Sequence, residues 1–191
     1  MALRPVAWLD LAVKVALVAL LVFAVARPDL PQFAGKAMSG RAIAYPIAAL
    51  VVPAVWWWFG RRRRWDYPFV VDILVVLPFL IDVAGNAADL YDTVSWWDDA
   101  NHFVNWAILV AGFGQVLVRS DLNRLVIASL CIGFGFVTAV LWEFIEYFTF
   151  IRDNENELRT AYTDTLGDLA LGLGGSTLAA AFTTVFVRRQ R

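Results

Sequence analysis

Six apolar runs, each close to the roughly 20 residues a helix needs to cross a bilayer, leave this chain few folds to choose from. They occupy positions 8–25, 43–59, 69–85, 101–118, 125–150 and 165–187. In hydrocarbon the backbone must satisfy its own hydrogen bonds within each run, which selects helices. The expected fold class is therefore all-α: a polytopic membrane helical bundle of about six transmembrane helices, forming one integral membrane domain over 1–191. Composition agrees, since 60% of the residues are hydrophobic and nine are tryptophan, whereas soluble domains sit nearer half apolar. Pro46, Pro53 and Pro78 fall inside runs, where neighbouring helices can compensate the lost backbone bonds.

Charge excludes some functions and orients the chain. A formal net charge of −1 offers no basic field for nucleic acid. Cys131 is the single cysteine, so no intrachain disulfide can form. With a cytoplasmic N-terminus, ten basic residues lie inside: Arg4, Arg61, Arg62, Arg63, Arg64, Arg119, Arg124, Arg188, Arg189 and Arg191. Five lie outside, namely Arg27, Lys36, Arg41, Arg152 and Arg159, and Lys14 falls in the first run. The positive-inside rule favours this orientation, so both termini are expected in the cytoplasm. Ala24 and Ala26 form an A-x-A pattern after the first run. That run is long for a signal peptide and carries Asp10 and Lys14, so it is read as a retained span.

Ionisable residues inside spans cost roughly 2.5–3.5 kcal/mol each at the helix centre on insertion scales, yet several are kept here. The expected topology places Asp98, Asp99 and His102 at the outer end of the fourth span, and Glu143 and Glu146 at the outer end of the fifth. Asp164 and Asp168 open the sixth, and Asp82 closes the third, so four helices bring carboxylates to one level. Asp98 and His102 are four residues apart, Glu143 and Glu146 three, and Asp164 and Asp168 four. Each pair therefore projects from one helix face. Helical bundles build metal centres in this way. Oxygen-rich ligation with one imidazole suits a divalent metal such as Zn, Fe, Mn or Mg. The ligand candidates are Asp98, His102, Glu143, Glu146 and Asp168, with Asn101, Asn105, Tyr147 and Tyr162 available to orient them.

Plainer readings compete. Asp98, Asp99 and Asp164 can cap helices, and the pairs can serve as a metal-free acid/base site or as polar glue between helices. Capping does not account for Glu143 and Glu146, which come late in their helix where the dipole disfavours them. Elsewhere, "RRRR" at 61–64 follows Trp56, Trp57 and Trp58 and reads as a topology anchor, with anionic lipid as a secondary use. The "GLGG" at 172–175 and the "GFG" runs at Gly112 and Gly133 read as close helix packing. No strand precedes them, which argues against a phosphate loop. The polar stretch "IRDNENELRT" is expected to be a solvated loop, and Asp72 is expected to pair with a loop arginine.

At three segments the chain resembles the YjdF-like family of uncharacterised bacterial inner-membrane proteins, with a looser similarity to VanZ-like proteins. The matching residues are Asp98 and His102, then Trp142, Glu143 and Glu146, then Asp164, Thr165 and Asp168. The resemblance covers about 98–180 and departs in the tandem Asp98–Asp99 and in Asn101 before the histidine. It implies a membrane fold, a bacterial cytoplasmic-membrane location and a shared polar site, but no established activity.

The function expected from these residues is a multi-pass membrane protein with a metal-binding site near the extracytoplasmic leaflet. As an enzyme it would be a metal-dependent hydrolase or transferase acting on a lipid or lipid-linked envelope substrate. Asp164 or Asp99 would be the acid/base, because a full set of six ligands would leave no open position. The alternatives are a cation- or proton-handling transporter and a structural or accessory membrane protein. The expected partners are membrane lipids, and the sequence does not specify an oligomeric state.

Overall fold

The computed structural model describes residues 5–189, with side chains through 185. Arg4 and Arg191, both counted in the orientation, lie outside the described residues, and so do the side chains of Arg188 and Arg189. The six apolar runs are helical almost throughout, with the second interrupted at Leu50, and no strand occurs among the described residues.

The helices are α1 (Pro5–Ala26), α2 (Met38–Ala49), α3 (Val51–Val55), α4 (Phe69–Ala87), α5 (Leu90–Thr93), α6 (Trp97–Leu117), α7 (Arg124–Glu146) and α8 (Glu155–Arg189). A π turn, Trp56–Gly60, extends α3, and another, Tyr147–Ile151, extends α7. The break at Leu50 between α2 and α3 has a local cause in Pro53. Proline there has no N–H to offer the carbonyl four residues back, and its ring crowds that carbonyl. Pro78 is accommodated inside α4.

Five segments are long and apolar enough to cross a membrane: Pro5–Ala26, Met38–Gly60, Phe69–Ala87, Arg124–Ile151 and Glu155–Val185. Of the six expected spans, the fourth falls short of that measure. Its helix, α6, has 21 residues, about 31 Å at 1.5 Å per residue, which is long enough. Asp98, Asp99, Asn101, His102 and Asn105 dilute its apolarity in the first turns. The other difference is at α8, which begins at Glu155, well before the expected start at 165. The stretch "ENELRT" is helix, not loop. Its residues are good helix formers apart from Asn and Thr, and Glu155 and Glu157 in the first turn suit the positive end of the dipole. Hydropathy alone cannot register a polar helical turn.

Contacts divide the chain into two compact units, Met1–Asp92 and Thr93–Arg191. In the first, α1 packs on α4 and α2, and α2 packs on α4. Ala24, Phe33 and Met38 form a buried cluster with Leu30 and Ala87 against it. In the second, α8 packs against both α6 and α7. Small residues permit that approach. A Cβ added at Gly172 would lie 2.6 Å from the Trp106 ring, and one at Gly135 would lie 2.6 Å from the Ser176 Cβ. Gly175 meets the Phe103 backbone, and Gly114 meets the Thr183 side chain. These contacts make α6 and α8 parallel neighbours, as close-packed small residues do in membranes. Gly133, by contrast, faces open space. Below the site, Val110, Ile127, Cys131, Ala179 and Ala180 form the buried apolar core of the unit. Large apolar side chains such as Leu125 and Val137 remain exposed on its outside, as lipid-facing residues are.

Candidate metal centre

Parallel α6 and α8, with α7 running antiparallel, bring the start of α6, the end of α7 and the early turns of α8 together. His102 is buried there at 7% exposure. Its Nε2 lies 3.8 Å from Asp98 Oδ1 and 3.7 Å from Asp168 Oδ1. Its Nδ1 lies 3.9 Å from Glu143 Oε1. The ring thus turns one nitrogen toward Asp98 and Asp168 and the other toward Glu143.

Two trios result: Asp98, His102 and Asp168, and His102, Glu143 and Glu146. Within each, ligating atoms lie within 4.8 Å of one another. The histidine–carboxylate separations exceed a hydrogen bond of about 2.7–3.2 Å. Two ligands held about 2.1 Å from one metal stand roughly 3–3.5 Å apart at tetrahedral or octahedral angles. The three histidine–carboxylate distances would contract by less than an ångström, and the widest separation in a trio by up to about 1.8 Å, to make a set of metal ligands. Hard oxygens with one imidazole fit Mg, Mn, Fe or Zn.

The surroundings orient these groups. Glu143 is buried, with the Thr165 hydroxyl of α8 near its carboxylate. Thr165 is the motif residue between Asp164 and Asp168, and the sequence gives no sign that it meets Glu143. The Asp98 carboxylate is 47% exposed, so the Asp98–Asp168 edge of the ring opens to the surface. Asn101 Nδ2 donates to the Trp97 carbonyl at 3.0 Å, and Asn105 Nδ2 donates to Asn101 Oδ1 at 3.0 Å. The two asparagines therefore brace α6 itself. Tyr162 is 77% exposed and Tyr147 half-exposed, and neither is placed among the ligands. Asp99 and Asp164 are exposed and outside both trios, near enough for their charges to interact. Of the tandem aspartates, Asp98 faces the histidine.

Asp82 does not join the metal-ligand trios. The Arg41 guanidinium pairs with it, and Tyr45 and Tyr91 donate to it at 2.6 and 2.9 Å. The two trios draw on α6, α7 and α8, and Asp82 is instead paired within the first unit. The reason is that Arg41, expected in an outer loop, lies within α2 with its side chain 13% exposed. Asp72 is likewise taken by Lys14 from α1 and by the Tyr67 hydroxyl, not by a loop arginine. Burial, reinforced by the Asp72 carboxylate, pushes the Tyr67 phenol well above its usual range, so Tyr67 remains a donor.

No curated protein and no solved structure matches the chain. A family model does, and its match at residues 9–189 takes in the first three helical spans as well as the segment carrying the three polar pairs. On that match the chain belongs to the family described as Predicted membrane protein (DUF2238).

Proposed function

We propose that this protein is a multi-pass protein of the bacterial cytoplasmic membrane that binds a divalent metal at His102, near the extracytoplasmic leaflet. The observation that carries the reading is the sharing of one buried imidazole by two ligand trios drawn from three helices. Asp98, Asp168 and His102 Nε2 would hold the ion on the open edge. A carboxylate facing the other ring nitrogen commonly fixes the tautomer and orientation of a ligating histidine. Glu143, 3.9 Å from that nitrogen, would take this role. Glu146 completes the second trio and is the alternative ligand on that side. The likeness of the three motifs to the YjdF-like family belongs to this reading.

A metal bound there supplies Lewis-acid polarisation of a phosphoryl or carbonyl oxygen. The protein's own residues supply the rest. Asp98 on α6 and Asp168 on α8 would hold the ion. Asp99 and Asp164, exposed beside the site, can hold or deliver a proton at a leaving oxygen. A site whose Asp98 edge opens to the surface near a leaflet would suit hydrolysis or transfer on a lipid or lipid-linked envelope substrate.

Elemental analysis of the purified protein tests the binding step. A stoichiometric metal in wild type, lost in Asp98→Asn and in His102→Ala, supports the centre. Wild type that holds no metal, even after Mn, Fe or Zn is added back, sinks it.

A further inference from the structure

At the other end of the first unit's second span, the chain builds a compact basic surface. The π turn Trp56–Gly60 closes with Arg61 N donating to the Trp56 carbonyl at 2.8 Å. Trp65 N donates to the Gly60 carbonyl at 2.9 Å, and the Trp56 indole N–H donates to the Trp65 carbonyl at 3.0 Å. Gly60 is required, since a Cβ there would lie 2.5 Å from the Trp56 ring. Arg64, at φ 57°, turns the chain out of the run.

This hairpin fixes a ladder of guanidinium–indole pairs. Arg61 sits over Trp57 at 4.3 Å, Arg62 over Trp58 at 5.1 Å and Arg63 over Trp65 at 5.2 Å. Among the described residues, no carboxylate lies within ion-pair distance of Arg61, Arg62, Arg63 or Arg64. A cavity of about 300 Å³ is lined by Trp57, Trp58, Arg61 and Arg62. Stacking occupies a face of each guanidinium and leaves its edge N–H groups free for an oxyanion, which arginine grips in a two-pronged way. The position chooses the anion. Met38–Gly60 is a span, so its end lies at headgroup depth, where exposed tryptophans also sit.

We propose that Arg61 and Arg62, each seated over a tryptophan, form with Trp57 and Trp58 a clamp for the phosphate of an anionic phospholipid. The lipid belongs to the leaflet in which the span Met38–Gly60 ends. The tryptophan rings pack on its glycerol and upper acyl region while the guanidinium edges take the phosphate.

Native mass spectrometry of the full chain tests this by titrating phosphatidylglycerol against phosphatidylcholine of the same acyl chains. Wild type retains the anionic lipid preferentially. Arg61→Gln/Arg62→Gln lowers that preference roughly thirtyfold, the worth of two interfacial charges. Arg61→Lys/Arg62→Lys, which keeps charge but loses the planar fork, recovers only part of it. Full recovery in the lysine variant would reduce the clamp to diffuse charge and overturn the proposal. So would equal retention of the two lipids by wild type, or an unchanged preference in the glutamine variant. Inorganic phosphate at millimolar concentration should fail to displace the lipid, and displacement would mark a free-anion site instead. Unchanged helical circular dichroism in each variant shows that lost binding is not lost folding.

Discussion

In Met1–Asp92, Asp10 and Asp72 share Lys14, and Asp82 takes Arg41 with two tyrosines. In Thr93–Arg191, the buried Glu143 and Asp168 meet His102 instead. The cations of the first unit are permanent at any ordinary pH, whereas an imidazole carries charge only when protonated. In the first unit each of these carboxylates touches an ammonium or guanidinium supplied by the protein, with Asp10 and Asp72 sharing one. The second unit gathers four carboxylates around one imidazole, an arrangement that a divalent cation would complete. The same chain thus shows what it does with a carboxylate when the purpose is structural, and the His102 cluster departs from that practice.

Breaking the first unit's pairs should have the largest effect. Arg41→Met leaves Asp82 buried without its cation, which typically costs about 3–5 kcal/mol, and the protein should fail to accumulate in the membrane. The double variant with Asp82→Leu should regain much of that loss, measured as membrane yield and thermal midpoint in detergent. The second unit should behave oppositely. Asp168→Asn, tested without metal, should fold as well as wild type or better, because it removes an unbalanced charge. With metal at a hundred times its dissociation constant, wild type alone should gain about 2.7 kcal/mol. If Asp168→Asn instead collapses like Arg41→Met, both units use their charges as fasteners and the contrast disappears.

Gly172→Leu examines packing without touching charge. Trp106 stands in the way, and overpacking of this kind typically costs about 1–3 kcal/mol. Glu143→Gln should lower metal affinity by about 10- to 100-fold while leaving the ligand set in place, read by competition with a chelator. Thr165→Val should have the smallest effect, on the order of the 1 kcal/mol of one hydrogen bond. Acidification should release the metal in all loaded variants, since protons compete for the same carboxylates and imidazole.

Hydropathy made the helices legible because lipid leaves little choice of backbone structure. It missed the first turns of α8, which carry Glu, Asn and Arg, whereas α6 was read as helix although it carries the cluster. Charge inside an apolar run made Asp98, His102, Glu143, Glu146 and Asp168 stand out, and helical spacing paired them. The partners of Asp72 and Asp82 were not legible, because Lys14 and Arg41 gain their roles from which helices touch. Thr165 stood in the motif, but its neighbour was not legible for a related reason, since a hydroxyl acquires a role only once α7 lies beside it.

The polar start of α6 bears on how the protein is made. The first turns of that helix carry Asp98, Asp99, Asn101, His102 and Asn105. Polar residues of that kind raise the cost of inserting the nascent segment by itself. Its retention in lipid would depend on α8 arriving to receive the Phe103 backbone against Gly175 and the Trp106 ring against Gly172. Truncation before α8 should therefore leave α6 slipping back toward the aqueous side. Synthesis of α8 and retention of α6 in the bilayer would then be coupled steps of biogenesis.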